Sequence, residues 1–288
     1  PNSRLKAKPY KITLLWDASY SMRNRNLDKE LNLLEEYIGY LQNAEIRFIS
    51  FSNTIHRSDI FKIENGNWDA LKKVIKSTTY DGGTSMNLFE TLNLKSDELL
   101  LFSDGLDNLG YFSKENKQSV YSINSIVSAN HETLSAIATL SGGSYINLVR
   151  LPHVEAVKML KQEVFQFLGS NHDDSLSEIY PKNKVNVSED FSIAGRFNKE
   201  TTIELLFGYR GKVTERINVH IEKSTKTELV KRLWAKQKLN FLNLDKEQNR
   251  EKIISLAKQY HLVTDFTSML ILDRIEDYVR YRIEPPQE

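Results

Sequence analysis

The chain has 288 residues, of which 40% are hydrophobic and 27% charged, and its 39 Lys plus Arg against 38 Asp plus Glu leave a formal charge of +1. That composition is ordinary for a soluble globular protein, and the balance argues against a polyanion binder, which needs a basic excess on one face. Cysteine is absent, which removes disulfides, thiolate metal sites and cysteine nucleophiles together, and no apolar run approaches the ~20 residues of a membrane span. The start at Pro1-Asn2-Ser3, without a methionine or a signal peptide, is expected of a fragment that has lost its N-terminus.

In chain order, residues 12–16 are a short apolar run, the pattern of a strand buried on both faces of a parallel sheet. Leu27, Leu31, Leu34, Ile38 and Leu41 recur at spacings of four and three, which predicts one face of a helix. Residues 46–51 predict a second buried strand, and 54–60 a third at a sheet edge. Trp68, Leu71, Val74 and Ile75 predict a short helix, and another is expected over 86–92. Residues 99–102 form a further apolar run, and 120–127 predict the next strand. Leu134, Ile137 and Ala138 fit a helix, followed by Gly142-Gly143 and a last strand at 145–148. Val157, Leu160, Val164 and Leu168 predict a closing helix over 153–168. Repeated alternation of strand and helix implies an α/β fold, a doubly wound and mostly parallel sheet with helices on both faces.

After Gly169 the pattern changes. Residues 171–177 are polar and read as a linker. Segments 184–187, 190–197, 201–209 and 213–222 are short and alternating, which predicts antiparallel strands. Leu229, Leu233 and Trp234 open a helical stretch, Ile253, Leu256, Ala257 and Tyr260 give a second helix, and 269–272 predict a final strand. A domain over 1–169 and a smaller β-plus-helix region over 170–288 are therefore expected.

The strongest chemical signal sits where the first buried strand ends, at Asp17-Ala18-Ser19-Tyr20-Ser21. In an open parallel sheet, ligands bind at the carboxyl ends of the strands. Asp81-Gly82-Gly83-Thr84-Ser85 and Ser103-Asp104-Gly105 occupy matching positions at the same edge. Hydroxyls of Ser19, Ser21 and Thr84 are neutral oxygen donors, and Asp17 and Asp104 supply charge directly or through water. This set suits a hard divalent cation such as Mg²⁺, Mn²⁺ or Ca²⁺. Glycines at 82, 83 and 105 let the backbone approach closely. An ion held mainly by neutral donors keeps a strong positive field and a place for an incoming carboxylate.

These three loops resemble the metal ion-dependent adhesion site of von Willebrand factor type A domains, over about residues 10–168. The resemblance implies that Ser19, Ser21 and Thr84 contact the metal, that Asp17 and Asp104 act largely through water, and that an Asp or Glu of a protein partner completes the shell. Ser103 stands where that family often has Thr. Leu233-Trp234-Ala235 and the run from Leu256-Ala257 through Tyr260, Leu262-Val263-Thr264 and Thr267-Ser268 resemble the segment after the A domain in inter-alpha-trypsin inhibitor heavy chains and their bacterial relatives. That implies an exported or cell-surface protein whose family usually carries a β-rich domain ahead of the A domain.

Simpler roles compete at each position. Asp17 and the serines could cap a helix, but the helical pattern starts only at Leu27. Thr84 and Ser85 could cap the helix after them, and Asp104-Gly105 could be a plain turn. Asp107 reads as a solvated loop residue. The six histidines show no metal-ligand spacing. Trp16, Trp234 and Tyr260 are expected in the core, whereas Tyr20 lies in the loop between two ligands and could touch a partner.

The leading expectation is a non-enzymatic module that binds an acidic protein ligand through a divalent metal, without nucleic-acid binding or membrane insertion. Two alternatives remain. A metal-dependent phosphatase or phosphotransferase of haloacid dehalogenase type also keeps an Asp after the first strand, but needs a second acid where Ser19 stands. An adaptor for an ATPase is compatible with the absence of a Gly-x-x-x-x-Gly-Lys-Ser/Thr loop.

Overall fold

A computed structural model of the protein describes residues 3–85, 88, 94–106, 118–187, 189, 191–222, 228–243, 246 and 248–267. Its elements run β1 (Ser3–Leu5), β2 (Lys11–Asp17), α1 (Leu27–Leu41), β3 (Ala44–Phe51), β4 (Ile55–Ile63), α2 (Asp69–Lys76), β5 (Glu98–Phe102), β6 (Ser119–Asn124), α3 (His131–Ser141), β7 (Tyr145–Asn147), α4 (His153–Lys161) and β8 (Gln162–Asn171). They continue through β9 (Leu176–Tyr180), β10 (Val185–Asn186), β11 (Ala194–Phe197), β12 (Thr201–Tyr209), β13 (Lys212–Ile221), α5 (Glu228–Leu242) and α6 (Arg250–Tyr260). The expected strand at 269–272, most of the expected helix at 86–92, and Asp107 lie outside the described residues.

The main sheet has the order β4-β3-β2-β5-β6-β7 and is parallel except for β4, an antiparallel edge strand on β3. Successive side chains of a strand point to opposite faces, and both faces of this sheet are covered. Ile12, Leu14 and Trp16 join one core cluster with residues of α1, α2 and α4, while Leu15, Ile49 and Leu101 join another with Ile137 of α3. Leu31, Leu34, Ile38 and Leu41 of the predicted α1 stripe are buried, together with Leu33, Tyr37 and Glu30, and its first turn is capped by Asn26, whose side chain accepts from Lys29 N. β2 is followed in sequence by its neighbour on one side, β3, and β5 pairs with its other side. The order therefore reverses between β2 and β5, which opens a crevice at their carboxyl ends.

A second, antiparallel sheet has the order β1-β8-β12-β13, with β10 on β8. Here the sequence reading needs correction. The helix predicted through Leu168 stops at Lys161, and Gln162–Asn171 is a strand. The spacing of Val157, Leu160, Val164 and Leu168 fits a helix, but Phe165 and Phe167 find aromatic partners across the sheet. The Phe165 ring stacks on Phe207 at 5.7 Å, and Phe167 meets Phe207 edge-on at 5.6 Å. Cross-strand pairing of this kind overrides a local helical period. The segment read as a linker is in part strand: β8 runs to Asn171, and Leu176 opens β9.

The described chain divides into two compact units. One comprises Pro1–Ser177, Lys182–Ser192 and Phe197–Lys223, the other Glu178–Pro181, Ile193–Arg196 and Ser224–Glu288. The boundary expected near residue 170 falls within β8, which pairs with β12, so strands on both sides of it share one sheet. In the second unit Tyr180, Ala194, Trp234, Leu239, Ile253 and Leu256 form the core. Trp234 is buried there, its Nε1 donating to Glu178 O at 3.0 Å, and its ring lies 5.7 Å from Tyr260.

Within the first unit, a buried ion pair links the segment after β1 to the main sheet. Lys6 Nζ lies 2.5 Å from Glu98 Oε2, both side chains almost wholly enclosed. Tyr37 OH donates to Glu98 Oε1, and the Lys6 ammonium sits 3.8 Å from the Tyr121 ring centroid. Burial lowers the Lys6 pKa to about 8 from 10.5, against the raising effect of Glu98. Removing one partner of such a pair leaves an uncompensated buried charge. Lys6→Met is therefore expected to cost about 3–5 kcal/mol in denaturant unfolding at neutral pH, and Lys6→Met/Glu98→Leu to recover most of it. The folded chain releases the Lys6 proton near pH 8 and the unfolded chain near 10.5. Between these values the unfolded chain binds more protons, so this residue makes stability rise with pH. The double variant should lack that rise.

Candidate metal centre

Asp17 is the last residue of β2 and has no exposed surface. Its Oδ1 accepts from Ser19 N at 2.9 Å, and its Oδ2 accepts from Ser103 Oγ at 2.6 Å. The first and third loops are thus joined through one carboxylate. Ser103 Oγ also accepts from Gly105 N at 3.0 Å. The substitution of Ser for the commoner Thr keeps the hydroxyl that makes these bonds. The second loop is tied to the first by backbone: Asp81 N donates to Ala18 O at 2.9 Å, and Tyr20 N donates to Gly82 O at 3.0 Å. A further bond from Ser85 N to Ser52 O anchors it to the end of β3.

Two glycines permit these turns. Gly82 and Gly105 have φ of +77° and +72°, a region that favours glycine. A Cβ on Gly105 would also stand 2.8 Å from Leu134 Cγ and 3.0 Å from Asn130 O. Close packing of the third loop on the start of α3 is reinforced by Asn130 N donating to Asp104 O at 2.7 Å.

The donors present are hydroxyls and carboxylates. Ser19 Oγ and Ser21 Oγ lie 3.1 Å apart. Thr84 is buried, and its Oγ1 has no hydrogen-bond partner. Asp104 is buried too, with Oδ1 accepting from Leu106 N at 3.0 Å. Burial raises the Asp17 pKa; the bonds from Ser103 and Ser19 oppose that rise, and the charge of Asp104 adds to it. Among the described residues no group of three or more His, Asp or Glu side chains forms a cation set. A cation here would rest mainly on hydroxyls.

Arg25 was not singled out by sequence. Its guanidinium lies 3.8 Å from the Trp16 ring, donates to Asp17 O at 2.8 Å, and pairs with the buried Glu30 at 2.6 Å. Ser125 Oγ donates to the other Glu30 oxygen at 2.8 Å. This cation grips the backbone of β2, and Glu30 rather than Asp17 takes up its charge. The one sequence signal was an acid, Glu30, on the buried side of an amphipathic helix. Trp16 is core, as expected, and its Nε1 donates to Tyr80 OH at 3.2 Å. Tyr20 is 53% exposed, with Arg23 stacked on its ring at 4.1 Å. His56 bonds Ser52 Oγ at 2.7 Å.

No protein-family model matches the sequence, and no curated protein matches it. Solved structures do. The von Willebrand factor type A protein from Catenulispora acidiphila superposes with a TM-score of 0.50 at 12% identity, over 90% of this chain and 82% of that one. The chain has the von Willebrand factor type A fold. An aerotolerance-related membrane protein from Bacteroides fragilis (TM-score 0.42, 14% identity, 52% of this chain and 95% of that one) and the manganese-loaded Plasmodium vivax TRAP protein (0.35, 16%, 78% and 98%) are more distant matches that add no weight. Among the described residues, no helix is long and apolar enough to cross a membrane.

A buried carboxylate that the fold disfavours in its charged form should be a stability burden in metal-free buffer. Asp17→Asn retains an oxygen for Ser19 N and an amide for Ser103 Oγ. It is expected to raise the unfolding free energy in chelator at neutral pH by about 1 kcal/mol or more. Urea denaturation measures this, and a loss of stability would contradict the electrostatic account of the site.

Proposed function

We propose that this protein is a non-enzymatic binding module that captures an acidic side chain of another protein through a divalent cation. The supporting observation is Thr84 Oγ1, a buried hydroxyl oxygen without a hydrogen-bond partner, on a loop bonded to the one that carries Asp17, Ser19 and Ser21. An unsatisfied buried oxygen costs about 1–3 kcal/mol, and an oxygen-seeking cation would satisfy it.

Ser19, Ser21 and Thr84 would hold Mg²⁺, Mn²⁺ or Ca²⁺ through their hydroxyls, with Asp17 and Asp104 supplying charge directly or through water. The bound ion supplies a positive point that attracts a carboxylate. The chain's own residues prepare that point. Ser103 and the Ser19 amide pin both oxygens of Asp17, so little rearrangement accompanies binding. Arg25 keeps its charge on Glu30. Tyr20, exposed between two of the serines, offers the partner an aromatic surface. The surroundings of Asp17 favour binding over phosphoryl transfer: the acid needed two residues on is replaced by Ser19. A location outside the cytoplasm or at the cell surface is part of the proposal, on the resemblance of Leu233-Trp234-Ala235 and the run from Leu256 to the segment after the A domain in inter-alpha-trypsin inhibitor heavy chains.

Calorimetric titration with Mn²⁺, with and without a blocked glutamate-containing peptide, tests this. The peptide should tighten Mn²⁺ binding, and chelator should abolish peptide binding. Thr84→Ala should weaken Mn²⁺ binding at least about tenfold, the loss of roughly 1.4 kcal/mol, while the melting temperature is maintained. Peptide binding that survives Asp17→Ala in metal-replete buffer would end this reading. Turnover of an aryl phosphate would favour the phosphatase instead.

A further inference from the structure

The face of the main sheet that packs on α3 changes character along its strands. Lys11, Thr13 and Leu15 share one face of β2, and Glu45, Arg47 and Ile49 stand beside them on β3. Leu15 and Ile49 belong to the core cluster with Ile137. Toward the amino ends the same face turns polar. A cavity of about 270 Å³ opens there, with Lys11, Thr13, Glu45, Arg47, Lys95 and Ser96 in its walls. Thr13 is only 2% exposed, and its Oγ1 lies 2.9 Å from Ser96 Oγ. That contact uses one of the two hydroxyl protons; the other has no acceptor among the described residues. Arg47 Nε donates to Ser58 Oγ of β4 at 3.2 Å, which orients the guanidinium and leaves its terminal nitrogens unbonded by described residues. Among the described residues Lys11, Arg47 and Lys95 form no ion pair, with Glu45 or with any other acid. Asp97, next to Ser96, is turned to the backbone: its Oδ2 accepts from Tyr10 N and Lys11 N, each at 2.9 Å.

Three cations against one carboxylate give this cavity a positive excess, in a chain whose formal charge is only +1. Cations brought together without a partner repel one another, and a doubly charged anion between them removes that cost. We propose that the cavity binds a small molecule that carries both a phosphate group and a hydroxyl. A guanidinium presents a planar fork that matches two phosphate oxygens, and ammonium groups act as point charges. Arg47 supplies the fork, and Lys11 and Lys95 supply the charge. The unused hydroxyl proton of the Thr13–Ser96 pair is a further donor. Glu45 repels a bare anion but accepts from a hydroxyl, so it selects phosphate attached to a hydroxyl-bearing carbon skeleton. The volume falls just below the roughly 300–1,000 Å³ of pockets for drug-sized ligands, which favours a molecule of few carbons. The site is separate from the metal centre, since Thr13 and Asp17 are four positions apart on β2, roughly 13 Å. The proposal does not rest on the metal reading.

Calorimetric titration of the full chain in chelator, at constant ionic strength, tests this with inorganic phosphate and glycerol 3-phosphate as probes. Saturable binding of both is expected, with glycerol 3-phosphate the tighter. Arg47→Gln should weaken both at least about tenfold, a loss of roughly 1.4 kcal/mol, and Arg47→Lys, which keeps the charge without the fork, should not restore the affinity. Lys95→Gln, at an exposed position, should weaken both with the melting temperature unchanged. Glu45→Gln should tighten inorganic phosphate and remove the preference for glycerol 3-phosphate. The absence of saturable heat with either probe up to about 10 mM, weaker than any affinity near 4 kcal/mol, overturns the proposal. Binding indifferent to both Arg47→Gln and Lys95→Gln overturns it too, because the anion would then sit elsewhere. Equal affinity for the two probes overturns the assignment to a hydroxyl-bearing phosphate. Asp17→Ala should leave every one of these titrations unchanged, and an effect there in place of one at Arg47 would move the anion to the other end of β2 and sink the idea.

Discussion

The structure depends on one unfavourable placement: two carboxylates, Asp17 and Asp104, buried at the carboxyl edge of a parallel sheet. A charge moved from water into a protein interior is costly unless it is bonded or paired. Asp17 is bonded from two loops, through Ser19 N and Ser103 Oγ, and burial, with the charge of Asp104 adding to it, still disfavours its ionised form. Much of the surrounding architecture holds that arrangement in place. The reversal of strand order between β2 and β5 opens the crevice, and the backbone bonds from Asp81 and Tyr20 hold the second loop against the first.

Arg25 supports the site through the backbone and not through a charge pair with Asp17. A buried guanidinium within reach of Asp17 could have neutralised its carboxylate. It donates instead to the Asp17 carbonyl, stacks on Trp16, and delivers its charge to Glu30. Ser125, after β6, bonds the second Glu30 oxygen, so the ends of two strands and the start of α1 are fastened by one polar chain. Polar groups this deep require every partner to be present. The network fastens the loops without pairing Arg25 to the Asp17 carboxylate. The same logic appears at the far end of the sheet, where Lys6, Glu98 and Tyr37 satisfy one another.

The von Willebrand factor type A fold positions loops and leaves their chemistry to individual residues. The main sheet is closed on both faces by helices, and its short or charged edges resist pairing. The antiparallel sheet ends on β13, whose residues from Lys212 to His220 are exposed.

The strands 12–16, 46–51 and 99–102, the helix from Leu27, and the three loops with Asp17, Ser19, Ser21, Thr84 and Asp104 were legible in the sequence. Each is a local pattern: an apolar run, a helical period, or a short motif at a strand end. Burial of both sheet faces leaves such runs uninterrupted, which is why they read clearly. What only the tertiary structure decided involves partners distant in the chain. Val164 and Leu168 carry a helical spacing, yet pairing of β8 with β1 and β12 makes them strand. Lys6 meets Glu98 across 92 positions, and Ser125 meets Glu30 across 95; nothing in either neighbourhood marks them as partners. The orphaned oxygen of Thr84 is likewise a property of the folded interior, because a missing hydrogen bond exists only once water has been excluded.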